Sequence, residues 1–99
     1  MKDKLLQIIN HYGLDKQLKY IHSEYFELDE AIINYVDDEC NYYSEVENSH
    51  LRKIAGEIAD VMVMLKQFQY YFDIEDKQIE EIMNYKIDRQ LQRIEEENK

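Results

Sequence analysis

Apolar residues recur along this chain at alternating steps of three and four, and that pattern leaves little room for anything but packed helices. Leu14, Leu18, Ile21, Tyr25, Leu28, Ile32 and Tyr35 follow one another at steps of 4, 3, 4, 3, 4 and 3. Leu51, Ile54, Ile58, Val61, Leu65, Phe68 and Phe72 do so at 3, 4, 3, 4, 3 and 4. A helix turns once in about 3.6 residues, so these steps hold the side chains on one stripe, the seam along which antiparallel helices pack. Two shorter patterns flank the pair. Leu5, Ile8, Ile9 and Tyr12 share one side of a first helix over about Lys2 to Tyr12, which Gly13 stops. Asp15 is placed as N-cap of the second helix, and the third begins near Ser49. After a break at Asp73 to Asp76, a fourth runs from about Lys77 toward the end, with Ile79, Met83, Ile87, Leu91 and Ile94 expected inward.

The absence of proline and the presence of only two glycines fit this reading, since sandwiches and barrels need many tight turns. The segment Asp37 to Asn48, DDECNYYSEVEN, is polar and acidic and reads as the longest connection, partly ordered at best. The expected fold is therefore all-α: one domain over residues 1–99, a small antiparallel bundle of about four helices. A chain of 99 residues buries a modest share of its surface, so oligomerisation, as a homodimer or homotetramer, is the natural way to complete its core.

Charge narrows the function. Asp and Glu number 22 against 12 Lys and Arg, a net charge of −10, which argues against nucleic-acid binding driven by phosphate neutralisation. A small phosphorylated ligand held through a metal cation stays open. No apolar run approaches the roughly 18–20 residues of a membrane span, and the start lacks the apolar core of a signal peptide. The single Cys40 reads as a reduced thiol, and the expected location is cytoplasmic. His11, His22 and His50 are scattered and read as surface or helix-end residues.

Most acids need no account beyond the wet face of a helix. Four are placed differently. Glu24 and Glu27 each precede a seam residue by one position, as do Glu57 and Asp60. Each pair is spaced i, i+3, so its carboxylates leave one side of the helix, roughly 100° from the seam. Their stripes are mixed: Tyr20, Glu24, Glu27 and Ala31 on one helix, Lys53, Glu57, Asp60 and Met64 on the other. Spacing alone leaves two readings, a solvated acidic face or a hard-cation site. Mg²⁺ suits the second, because it takes oxygen ligands and keeps positions for water and substrate phosphate. Lys86, Arg89 and Arg93 at i, i+3, i+7 form a basic stripe on the fourth helix. They serve either as a snorkelling rim paired with acids such as Asp88 and Glu96, or as a phosphate clamp facing the carboxylates, with Lys53 in support. Tyr20 and Phe26, near the first acid pair, either stack on a base or fill the core.

The segments SEYFELDEA, EIADVMVML and NYKIDRQLQRI together resemble the all-α nucleoside triphosphate pyrophosphohydrolases of the MazG-like superfamily. That signature is E-x-x-E, a spacer, then E-x-x-D on two helices, followed by a basic stretch on a later one. Glu24, Glu27, Glu57 and Asp60 fill it, Leu28, Ala31 and Val61 match its flanks, and the similarity runs from about Gly13 to Ile94. Two departures are visible. Ser23 stands where the family often has another glutamate, and 29 residues separate Glu27 from Glu57, a long spacer whose extra length falls in the connection.

The resemblance implies Mg²⁺-dependent hydrolysis of a nucleoside or deoxynucleoside triphosphate between its α- and β-phosphates, with Mn²⁺ as a substitute ion. It implies a dimer or dimer of dimers, with sites beside or across the interface. Glu24, Glu27, Glu57 and Asp60 would hold metal and activate water, Glu24 or Glu27 being the candidates for general base. Lys53, Lys86, Arg89 and Arg93 would offset charge on the leaving pyrophosphate. The competing expectation is a helical nucleotide-binding or protein-interaction module that does no chemistry.

Overall fold

The computed structural model describes residues 1–37 and 44–99, the side chains of 44–48 excepted. Within them the chain forms four helices: α1 (Lys2–Tyr12), α2 (Leu14–Asp37), α3 (Ser44–Tyr71) and α4 (Asp76–Glu97). No strand occurs among the described residues, and no described helix is long and apolar enough to cross a membrane. Cys40 and the centre of the acidic connection lie outside the described residues.

Gly13 ends α1 with φ at 90°, a conformation that an L side chain rarely adopts, and its N–H donates to the Ile9 carbonyl at 2.8 Å. The chain enters α2 at once, with Asp15 in the first turn rather than capping it. The third helix starts at Ser44, five residues before the expected Ser49, so the end of the presumed connection is helical.

Helices α2 and α3 make the most extensive contact, and α1 lies against both. Gln17 meets Gln67, Glu24 meets Asp60, and Tyr35 meets His50 edge-on at 5.9 Å between ring centroids. Partner numbers fall along α3 as they rise along α2, so the two run antiparallel. His50 is thus half-buried against a ring, where a surface or helix-end position was expected.

The intrachain interface is not the one the heptads announce. Its buried positions on α2 are Gln17, Glu24 and Ala31, at steps of seven. On α3 they are Met64, Gln67 and Gln69. Leu5 and Ile9 of α1 complete the buried set. The heptad stripe is split: Leu14, Ile21, Leu28 and Tyr35 on α2, and Ile54, Val61 and Phe68 on α3, are half-buried. Their alternates Leu18, Tyr25, Ile32, Leu51, Ile58, Leu65 and Phe72 are exposed, Tyr25 at 65% and Phe72 at 59%. Helices α2 and α3 therefore meet through the mixed stripes, turned away from their most apolar line.

The fourth helix corrects a further expectation. Ile79 is half-buried, but Met83, Ile87, Leu91 and Ile94 are all exposed, and α4 does not pack on α1, α2 or α3. Its start is set by the turn after α3, where Asp73 adopts φ of 55°. There the Asp76 carboxylate accepts hydrogen bonds from Lys66 Nζ at 2.7 Å, Gln69 Nε2 at 2.7 Å and the Tyr70 hydroxyl at 2.9 Å. Beyond that anchor its apolar stripe has no intrachain partner among the described residues. The accessible surface, 8350 Å², records the same fact. A compact monomer of this mass exposes about 6000 Å².

Candidate metal centre and its adjoining cavities

The antiparallel register of α2 and α3 decides which acids meet. Carboxylate oxygens of Glu24, Glu57 and Asp60 can all be brought to one point, each within 4.8 Å of the others. Glu24 is buried at 7% exposure, Glu57 is half-buried and Asp60 is exposed, so the trio runs from interior to surface. Glu24 Oε2 and Glu57 Oε2 are occluded from solvent and have no hydrogen-bond partner. A buried polar atom left unpaired costs about 1–3 kcal/mol, and more when it is charged. Two such atoms on residues of one acidic cluster fit a cation, which would satisfy unpaired oxygens and offset the repulsion.

Tyr20, one turn before Glu24, borders this group. Its phenol is held above the ordinary tyrosine value by hydrogen bonding to Glu24, then by repulsion from that carboxylate, by partial burial, and by the charges of Glu27 and Asp60. It therefore stays protonated and serves as a hydroxyl donor at the rim of the cluster.

Glu27 falls outside the trio. It lines a second cavity of about 440 Å³ with Glu30, Ala31, Asn34, Lys53 and Glu57. Glu57 thus belongs both to the trio and to a pocket holding two further carboxylates, Glu27 and Glu30, and a lysine. Lys53 is the one expected phosphate ligand that the fold brings beside the carboxylates. Lys86, Arg89 and Arg93 lie on α4, away from both cavities in this chain.

A cavity of about 470 Å³ opens from the other side of the trio. Glu24 and Asp60 form one end; Ile8, Tyr12, Lys16, Tyr20, Val63 and Met64 form the walls; Gln17 and Gln67 complete the lining. The two glutamines were not singled out by the sequence reading. A signal existed: Gln17 precedes Glu24 by seven residues and Gln67 follows Asp60 by seven, so both extend the acid stripes rather than the wet faces. Phe26, read as a stacking candidate, is exposed at 64% and lines neither cavity.

No protein-family model, curated protein or solved structure matches this chain.

Proposed function

We propose that this protein is a Mg²⁺-dependent pyrophosphohydrolase of nucleoside or deoxynucleoside triphosphates, as its resemblance to the MazG-like enzymes implies. The observation that carries the reading is the pair of buried, unpartnered carboxylate oxygens of Glu24 and Glu57, gathered with Asp60 beside a cavity of about 470 Å³ that Glu24 and Asp60 line. Buried unpaired charge is expensive in a chain of this size, and a resident cation removes the expense. Glu24, Glu57 and Asp60 would hold the ion. Bound there, Mg²⁺ polarises phosphate oxygens and lowers the pKa of a coordinated water. Glu27, outside the trio but in the cavity that Glu30 and Glu57 also line, would accept a proton from attacking water. Lys53 in the same cavity offsets charge on the departing pyrophosphate.

The reading includes a homodimer or homotetramer. An excess surface of about 2000 Å² over a compact monomer matches what an obligate interface removes from one protomer. Its apolar stripes on α2, α3 and α4 suit a second copy, and assembly is what would carry Lys86, Arg89 and Arg93 to a carboxylate site.

Pyrophosphate release from a panel of nucleotides with Mg²⁺ or Mn²⁺ tests the activity. The expected result is turnover of at least one nucleotide, lowered about 10³-fold in Glu57→Gln and Asp60→Asn with helicity retained. No release from any nucleotide by folded protein overturns it. One observation favours the alternative of a non-catalytic module: the basic stripe of α4 stands apart from the carboxylates in the single chain. That alternative predicts that Glu57→Gln raises the melting temperature by relieving repulsion.

A further inference from the structure

The residues that α2 and α3 turn toward each other stand one position away from a more apolar contact. Gln17, Glu24 and Ala31 are the buried residues of α2, and each is directly followed by an exposed apolar one, Leu18, Tyr25 or Ile32. On α3 the half-buried Glu57 and the buried Met64 are followed by Ile58 and Leu65, both exposed. One position along a helix is about 100° of rotation. Turning both helices by one position would trade the mixed stripes for the heptad stripes at their contact. Burial of apolar surface does not by itself choose the observed arrangement over that one.

A directional bond tells the two arrangements apart. Gln17 Nε2 donates to Gln67 Oε1 at 2.8 Å across the contact, and the two side chains are 5% and 1% exposed. Met64 Sδ, a weak acceptor, stands 4.0 Å from Gln17 Nε2 and 3.7 Å from Gln67 Nε2. Neither glutamine has an amide atom that is both buried and unpartnered, unlike the carboxylates of Glu24 and Glu57. Buried polar groups satisfied in one arrangement only are the best-attested means of fixing a helix register. Placement ties this bond to the acids. Gln17 precedes Glu24 by seven residues on α2, and Gln67 follows Asp60 by seven on α3, each about 10 Å along the axis. Antiparallel helices paired at Gln17 and Gln67 are thereby paired at Glu24 and Asp60 as well.

We infer that the Gln17–Gln67 hydrogen bond is a register pin that positions the carboxylate cluster. It holds the mixed stripes of α2 and α3 face to face against a competing packing through the heptad stripes, and so gathers Glu24 with Glu57 and Asp60. Both glutamines are positioning residues: they act through the helices that carry the acids. The inference rests on the proposed metal site only for the cation used as a probe. A pin of this kind selects an arrangement without adding to stability, because replacing both partners of a buried polar pair by apolar groups of similar shape leaves stability nearly unchanged or raises it. Fold and site therefore separate: removing the pair takes the cluster apart without weakening the bundle. The same choice keeps Leu18, Tyr25, Ile32, Ile58 and Leu65 on the outer surface.

The full chain carrying Gln17→Met together with Gln67→Met, which keeps the volume and removes the bond, tests this beside wild type. The Ala31 methyl group, on a residue 3% exposed and about 21 Å along α2 from Gln17, reports which stripe faces α3. Its NMR signal is followed as a soluble nitroxide radical is added, and Mn²⁺ affinity is measured by water-proton relaxation. The double variant is expected to melt at or above the wild-type temperature, to lose protection of the Ala31 methyl, and to bind Mn²⁺ about 10- to 100-fold more weakly. Gln67→Glu keeps an acceptor for Gln17 Nε2 while burying a carboxylate, so it is expected to do the reverse, melting lower with Ala31 still protected. Wild-type protection of Ala31 in the double variant overturns the inference. So does a double variant that does not fold, because the heptad packing is then no competitor. Lost protection with wild-type Mn²⁺ affinity also overturns it, since the acids then gather without the bond. Mn²⁺ that binds neither protein removes the metal reading and leaves Ala31 to decide the pin.

Discussion

The two faces of the α2–α3 pair invert the usual distribution of polarity. Inside, where the helices meet, Gln17, Glu24, Gln67 and the half-buried Glu57 stand beside Ala31 and Met64. Outside, Leu18, Tyr25, Ile32, Leu51, Ile58, Leu65 and Phe72 are exposed in steps of seven. Free energy of folding in water favours the reverse. The contrast teaches that burial in the single chain follows the mixed stripes rather than the apolar ones. The inner face has two carboxylate oxygens without partners, and the outer one has apolar stripes without cover among the described residues.

The sharpest way to break the comparison is to charge the outer face. Leu65→Asp on α3 and Leu91→Asp on α4 are each expected to convert the assembled protein to monomer, read by sedimentation at fixed protein concentration. Each buried leucine contributes about 1.5–3 kcal/mol, and twofold symmetry counts it twice. A wild-type chain that is already monomeric removes the account of the outer face and leaves the inner one untouched.

The inner face predicts a smaller effect, a metal-linked gain in stability. Saturating Mg²⁺ at about a hundred times its dissociation constant should stabilise the fold by about 2.7 kcal/mol, and the rise in melting temperature should vanish in Glu57→Gln. Mg²⁺ that leaves the wild-type transition in place argues that the orphaned oxygens are simply tolerated.

The smallest effect concerns the corner joining the two regions. Hydrogen bonds from Lys66, Gln69 and Tyr70, outweighing partial desolvation, depress the Asp76 pKa from 3.8 to about 2. A carboxylate with a depressed folded pKa contributes its stabilisation above the unfolded value and loses it as pH falls through the folded one. Protection of the backbone amides at the start of α4 is therefore expected to hold at pH 5 and to fall between about pH 4 and 2. Asp76→Asn should show the reduced protection already at neutral pH. Identical exchange in both proteins would mean that the corner does not depend on this charge.

The outline of this fold was legible because helical periodicity is local. The 3–4 steps placed α2 and most of α3, and Gly13 marked the end of α1 because few other residues take its backbone angle. The onset of α3 was misplaced because acidic residues suit both a loop and the first turn of a helix. Among the site residues, the i, i+3 pairs directed attention to Glu24, Glu57 and Asp60, which the fold does gather, whereas Glu27 shares their spacing but faces the next cavity. The glutamines were passed over because an uncharged amide on a helix looks the same on paper whether it faces water or a neighbour.

The sequence by itself determined that the chain is helical, where its helices run, and which stripes are apolar or acidic. Each follows from interactions within a few residues. Only the tertiary structure decided which stripe each helix turns toward its neighbour, and that choice rests on packing between residues distant in sequence, as far apart as Gln17 and Gln67. It placed the acid and amide stripe inside, half of the heptad stripe outside, and α4 in contact with α3 only near its start. Periodicity identifies an apolar line; it does not say whether that line awaits a partner from the same chain.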